Sequence, residues 1–288
     1  MRVSIFSPAD QLPPTRRTQS FVAIENQAVA AEIAGFSTFW LADQWLRIPP
    51  RLPLALGMIQ KLSVVTNRID LGIVIRLPPE SLWERLLNEL QHLNDLSSGR
   101  VRVALDMRDP GDAISSSAIE ELLDAMSGRL DAHGTWSLPH RLTLFADPIS
   151  VITAGRRGLG LLVAPDDTRH SRGRALAHYH EARATRPGWV TRLLSVAVGA
   201  DPDEVANLRR QLPLEAPLLS SAVERTLVGT PAEITAQLTV AEIADGLDEV
   251  ICALTPGALR PTLPLQTLDL LGRAVLPHLY TAPSPAYW

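Results

Sequence analysis

Lysine is almost missing from this chain of 288 residues: Lys61 stands alone among 27 basic side chains, and the other 26 are arginine. We take that as a compositional bias and not as the mark of a site. Cysteine is equally scarce. Cys252 has no partner for an internal disulfide, and its place in the apolar run Val250–Leu254 suits a thiol acting as a small hydrophobe. No apolar run approaches the ~18 residues that a membrane helix needs. A net charge of −4 and a pI near 6.0 leave no basic footprint for nucleic acid or anionic lipid. Met1–Phe6 lacks the long apolar core of a signal peptide, so it reads as a first strand and the expected compartment is the cytoplasm. Zinc-like spacing is absent among the histidines, and His178 and His180 lie two apart on one helix, facing different ways. No metal site is expected.

What is present suits a soluble globule, with 46% hydrophobic and 20% charged residues. The length matches one α/β barrel of about 250 residues. One domain is therefore expected over residues 1–280, followed by a loose tail at 281–288. Eight strand candidates recur along the chain: Val3–Phe6, Thr38–Leu41, Leu71–Ile75, Val101–Leu105, Leu142–Ala146, Leu159–Val163, Thr191–Val198 and Glu249–Leu254. Their nearly continuous apolar character fits parallel strands covered on both sides.

Helical patterns separate most of these strands. The first helix carries Val22, Val29 and Ile33 on a common face. A second spans about 53–65, and Pro78-Pro79-Glu80 opens a third whose Leu82, Leu86, Leu87, Leu90 and Leu93 form a wide stripe. Ile119, Leu122, Leu123 and Met126 mark a fourth. Ser150–Gly158 and Ser171–Ala184 follow, Asp201-Pro202-Asp203-Glu204 carries a helix-start signature, and Thr230-Pro231-Ala232-Glu233 is a capping box. The last helix holds Leu268, Leu271 and Val275 and stops at Pro277. The fold expected is thus α/β, a single (β/α)8 TIM barrel.

Four spaced segments carry a family resemblance. Gly35-Phe36-Ser37-Thr38-Phe39-Trp40 runs into Asp43 and Gln44; Thr66-Asn67-Arg68-Ile69 precedes the third strand; Leu96-Ser97-Ser98-Gly99-Arg100 precedes the fourth; Val228-Gly229-Thr230-Pro231-Ala232-Glu233 comes late, followed by Val275-Leu276-Pro277. In this order they resemble the bacterial-luciferase-like family of flavin- or deazaflavin-dependent oxidoreductases. The chain is shorter than most members, with the shortfall after strands four and seven, where lid and substrate loops usually lie.

Residues just past the strands' C-terminal ends form the site of such a barrel. Here they are Ser7, Asp43, Gln44, Trp45, Arg76, Asp106, Met107, Arg108, Asp147, Ser150, Asp166, Asp167, Arg169 and Thr255. The resemblance implies a proton-transfer histidine after strand two, but Gln44 stands there and has no useful pKa. Asp43 beside it is the candidate to take over that chemistry. A flavin phosphate would need an arginine after strand four, a position that falls on Met107 with Arg108 next to it. It would also need hydroxyls at a turn that here reads Asp147-Pro148-Ile149-Ser150.

What the resemblance implies is a flavin-dependent monooxygenase acting on a small organic substrate, of secondary metabolism by one reading. Asp43 and Gln44 would be catalytic, and Ser7, Arg76, Met107, Arg108, Asp147 and Ser150 would contact FMN, with a deazaflavin as the variant. The three departures at Gln44, Met107 and Asp147 favour a rival. In it, a flavin-free barrel uses Asp43, Asp106 or Asp147 for cyclisation or isomerisation, or serves as a non-catalytic heteromeric partner of an active relative. A homodimer is expected from the family's pairing through early helices and from the Leu82–Leu93 stripe.

Overall fold

The computed structural model describes residues 1–8, 17–42, 54–77, 79–107, 116–130, 141–163, 169–215, 226–254 and 262–279. The strands are β1 (Arg2–Pro8), β2 (Thr38–Ala42), β3 (Asp70–Arg76), β4 (Val101–Asp106), β5 (Leu142–Phe145), β6 (Gly160–Val163), β7 (Val190–Val198), β8 (Leu227–Gly229) and β9 (Glu249–Leu254). The helices are α1 (Arg17–Ala34), α2 (Leu54–Val65), α3 (Trp83–Leu96), α4 (Ser116–Leu130), α5 (Pro148–Arg157), α6 (Arg169–Arg183), α7 (Pro202–Glu215), α8 (Pro231–Asp245), α9 (Leu263–Leu270) and α10 (Leu276–Leu279).

β1 to β7 pair in sequence order, β6 pairs with β7, and β9 closes the ring between β7 and β1, every pairing parallel. The result is the expected single (β/α)8 barrel. β8 is additional: it pairs only with the C-terminal end of β7, at Val196–Val198. Its three residues were legible in the sequence only as the lead-in to the capping box after them.

Side chains alternate along each strand. One set packs outward under the helices, including Val3, Ile5, Leu71, Ile73, Val101, Val103 and Cys252. The other set fills the barrel, with Phe6, Trp40, Val74, Ala104, Phe145, Leu162 and Ile251. Cys252 is thus a buried outward hydrophobe, and burial pushes its thiol up to about 12.

Two helix readings need correcting. On α1, Val22 and Ile33 share the outer face, at 52% and 79% exposed, whereas Ile24, Ala28 and Ala31 face the barrel. Small alanines win the inner face because they let the helix approach closely. Where the C-terminal helix crosses α1, a Cβ on Gly272 would lie 2.7 Å from that of Ala34. The last helix also does not stop at Pro277. A π-helical turn at Leu271–Val275 precedes α10, which runs through that proline to Leu279. The wider turn loosens the regular ladder just where Pro277 has no N–H to donate.

The α3 stripe is spent inside the molecule, with Leu86, Leu87, Leu90 and Leu93 buried against the barrel. As a basis for a dimer interface it therefore fails.

Candidate functional site

Two of the resemblance segments meet at the N-terminal end of the barrel. The guanidinium of Arg100 uses all five of its N–H donors: Nε donates to the carbonyl of Ser97, Nη1 to Ile69 O and Thr66 Oγ1, and Nη2 to Ser63 O and Thr66 O, at 2.9–3.1 Å. On the other side of the same turn the Glu32 carboxylate accepts from the backbone N–H groups of Asn67, Arg68 and Ile69, at 2.8, 2.8 and 3.0 Å. Burial works against that carboxylate's charge, but the three donors hold it below the usual range. The helix before Arg100 closes on left-handed Ser98 and Gly99, at φ 56° and 81°. These motifs are structural.

Inside the floor lies a charge pair that the sequence reading missed. Arg102 donates from Nη1 to Glu249 Oε1 at 2.9 Å and from Nη2 to Oε2 at 2.7 Å, and from Nη1 to Thr38 Oγ1 at 2.7 Å. Ser4 also donates to Glu249, and the guanidinium carbon sits 5.2 Å and 5.8 Å from the ring centres of Trp40 and Trp189. Gly72 makes room for Trp40, since a Cβ there would lie 2.1 Å from the indole. Burial alone would raise the Glu249 pKa, but Arg102 and Ser4 hold it below the usual carboxylate range. A signal did exist: single charges interrupt the apolar runs at Val101-Arg102-Val103 and Glu249-Val250.

At the opposite end lies the mouth. Asp43, Gln44 and Trp45 fall outside the described residues, as do Arg108, Asp166, Asp167, Thr255 and the 281–288 tail. Arg76 is exposed at the end of β3, in register with Asp106, which is 1% exposed on the inward face of β4. Met107 belongs to the outward set and packs into the core beneath the helices. Ser7, 3% exposed, follows the outward residues Val3 and Ile5 on β1 and pairs with outward Leu41.

Asp147 and Ser150 do meet, but they satisfy each other. Asp147 caps α5: its Oδ1 accepts from Ile149 N at 2.9 Å and Ser150 N at 3.0 Å, and the Ser150 hydroxyl donates to its Oδ2. That is also why α5 begins at Pro148 and not at Ser150. The same acidic self-capping recurs nearby. At α7, Asp201 accepts from Glu204 N while Glu204 accepts from Ala200 N, and at α8 Glu233 accepts from Thr230 N, each at 2.8 Å. An anion at the N-terminus of α5 would meet a carboxylate already holding the donors, so that turn does not fit a flavin phosphate.

By its fold the chain is a single (β/α)8 barrel, and the enzymes known with this fold carry their sites at the C-terminal end of the strands. Residues 1–105, β1 through β4, match the family of luciferase-like monooxygenases, as the motifs imply. Among solved structures the chain is similar to the monooxygenase RslO1 of Streptomyces bottropensis, at 19% identity and TM-score 0.80 over 97% of this chain and 100% of that one. It is similar to the oxygenating constituent of 3,6-diketocamphane monooxygenase of Pseudomonas putida in complex with FMN, at 16% identity and TM-score 0.74 over 98% and 100%. The coenzyme F420-dependent tetrahydromethanopterin reductase of Methanopyrus kandleri follows, at 17% and 0.69 over 97% and 99%. No curated protein matches the sequence. No described helix is long and apolar enough to cross a membrane, and no group of metal-binding side chains occurs among the described residues.

Proposed function

We propose that this protein is a luciferase-like oxidoreductase, a flavin-dependent monooxygenase of a small organic molecule that works at the barrel mouth. The observation that carries this reading is the family match over β1 to β4, the half of the barrel that supplies Ser7, Asp43, Gln44 and Arg76. The fold it shares with enzymes described as working with FMN or coenzyme F420 supports a flavin-type cofactor. Such a cofactor would supply the redox chemistry. The chain's own part is to receive the ring, exclude water and place polar groups beside it. The α5 turn takes no share in holding a phosphate, because Asp147 closes it.

One observation favours a second reading. Of the three acids considered for flavin-free proton transfer, Asp147 is committed to capping, while Asp106 is a buried carboxylate on the inward face at the mouth. A barrel using Asp106 for cyclisation or isomerisation therefore stands as the alternative. A homodimer is proposed on the family's habit of pairing alone, and a heteromer with an active relative on the departures at Gln44, Met107 and Asp147.

Titration of the purified protein with oxidised FMN, reduced FMN and a deazaflavin, followed by fluorescence and calorimetry, separates the readings. Micromolar binding of any of them supports the oxidoreductase, and no binding at millimolar concentration overturns it. In that event Asp106→Asn should abolish turnover if the barrel is an acid–base enzyme, and a supporting subunit should tolerate the change.

A further inference from the structure

The barrel interior is filled unevenly. Along β1 to β6 the described inward side chains between the two rims are sealed: Ser4, Thr38, Trp40, Ala42, Arg102, Ala104, Thr143, Phe145 and Leu162 are at most 1% exposed, Val74 is 2% and Phe6 6%, while Arg76 at the mouth and Arg2 at the floor are open and Asp70 at the floor is half-buried. Along β7 and β9 the lowest inward residues, Thr191, Glu249 and Ile251, are equally sealed at 1%. From the level of Ile251 upward the pattern breaks, until Ala197 is sealed again against Leu208 and Leu263. Leu193, Ser195 and Ala253 are half-buried although they point into the barrel, and Leu193 and Ala253 pack against the interior cluster of Phe6, Trp40 and Ile251. Leu193 pairs with Ile251 and Ser195 with Ala253, so the three form one contiguous patch across two neighbouring strands.

An inward side chain in a closed barrel gains exposure only where neighbouring side chains leave space. Here that space is bounded by apolar carbon from Leu193, Ala253, Ile251 and Phe6, and Ser195 supplies a hydroxyl. Among the described charged groups of the mouth, Arg76 and Asp106 lie on β3 and β4, which β1 and β2 separate from β9, while Asp147, Asp201, Glu204 and Glu233 are engaged by the backbone N–H groups at the helix starts they cap.

We propose that the β7–β9 wall is the ring-binding subsite of this barrel. It receives an uncharged, flat organic ring over Leu193 and Ala253, with Ser195 Oγ hydrogen-bonding a carbonyl or ring nitrogen on the ring's edge. Ser195 and Ala253 determine what fits. The assignment of a ring to this wall rests on the reading of the barrel as a small-molecule enzyme, while the space itself does not.

The test uses Ser195→Leu and Ala253→Leu, with Val240→Ser on the outer surface as control, titrated by fluorescence with oxidised FMN, riboflavin and anilinonaphthalene sulfonate. The wild-type protein should bind at least one of these probes. Each leucine variant should weaken that binding by tenfold or more, equivalent to at least about 1.4 kcal/mol, without lowering the melting midpoint, because the added carbons enter open space. Val240→Ser should change nothing. Binding of anilinonaphthalene sulfonate alone, lost in both variants, would keep the subsite and reject the flavin. Flavin binding untouched by both variants would keep the flavin and reject the subsite. A wild-type protein that binds none of the three probes, or leucine variants that melt well below wild type because the wall is already packed, would also overturn the proposal.

Discussion

The two ends of this barrel use charge in opposite ways. At the floor, charged side chains act across the chain: Arg102 on β4 meets Glu249 on β9, and Arg100 and Glu32 grip one turn from both sides. At the mouth, Asp147, Asp201 and Glu233 act locally, each capping the helix that follows its own loop. Long-range pairs fix which strands lie together, whereas local caps fix only where a helix starts. The floor is therefore expected to carry stability, and the mouth to be free for function at small cost.

The largest effect should come from breaking the floor pair. Arg102→Ala leaves Glu249 charged and buried, and a broken buried pair typically costs about 3–5 kcal/mol. Urea unfolding should show that loss, and the double variant Arg102→Met with Glu249→Leu should recover most of it. A loss below about 1 kcal/mol in the single variant would place the pair outside the stabilising frame. The sign with pH follows from Glu249. Its folded pKa lies below the unfolded value, so its contribution is fully present above the ordinary carboxylate pKa and is lost as pH falls through the depressed one. Acid unfolding of wild-type protein should therefore begin below about pH 4.3, and the double variant should show a shallower acid limb.

Next in size is Arg100→Ala, which strips one turn of five charged donors. The acceptors belong to the buried residues Ser63, Thr66, Ile69 and Ser97, but Arg100 itself is only half-buried and water can enter part of the space it leaves, so about 2 kcal/mol is expected in the same unfolding measurement. Flavin affinity should stay unchanged, because the turn lies at the far end from the mouth. A variant that kept full stability but lost ligand binding would reverse the division drawn between the two ends.

The legibility of the sequence follows the same division. Strand positions, the closing strand Glu249–Leu254 and the capping boxes were readable, because apolar period and cap chemistry are local signals. The Arg100 motif was readable as a resemblance but not as a clamp, since all its partners but Ser97 lie 31 to 37 residues away. Arg102 and Glu249 are 147 residues apart and become neighbours only when the ring closes. On α1, periodicity found a real apolar face, Val22 with Ile33, but the wrong one: close approach to the barrel selected alanine over bulk. At the mouth, Asp147 and Ser150 were correctly placed together, and only the geometry shows that they satisfy each other.

Asp147 provides the smallest effect on stability and the sharpest test of the mouth. Asp147→Ala removes a cap and should cost about 1 kcal/mol, while Asp147→Ser keeps a capping oxygen and should cost a few tenths. The effect on ligands should run the other way. With the carboxylate in place, a phosphate at the N-terminus of α5 meets a like charge. Two unit charges 4 Å apart at an effective dielectric near 20 repel by about 4 kcal/mol, which cancels what the helix end would offer. Wild-type protein should therefore bind FMN no more tightly than riboflavin. Asp147→Ser removes the like charge and leaves the N–H groups of Ile149 and Ser150 on a neutral hydroxyl that an anion can displace, so it should raise FMN affinity about tenfold or more over riboflavin, leaving riboflavin itself unchanged. Parallel fluorescence titrations of the two flavins against both proteins measure the ratio directly. A wild-type ratio already above tenfold in favour of FMN would mean that the phosphate sits elsewhere in the mouth, among donors that Asp147 does not guard.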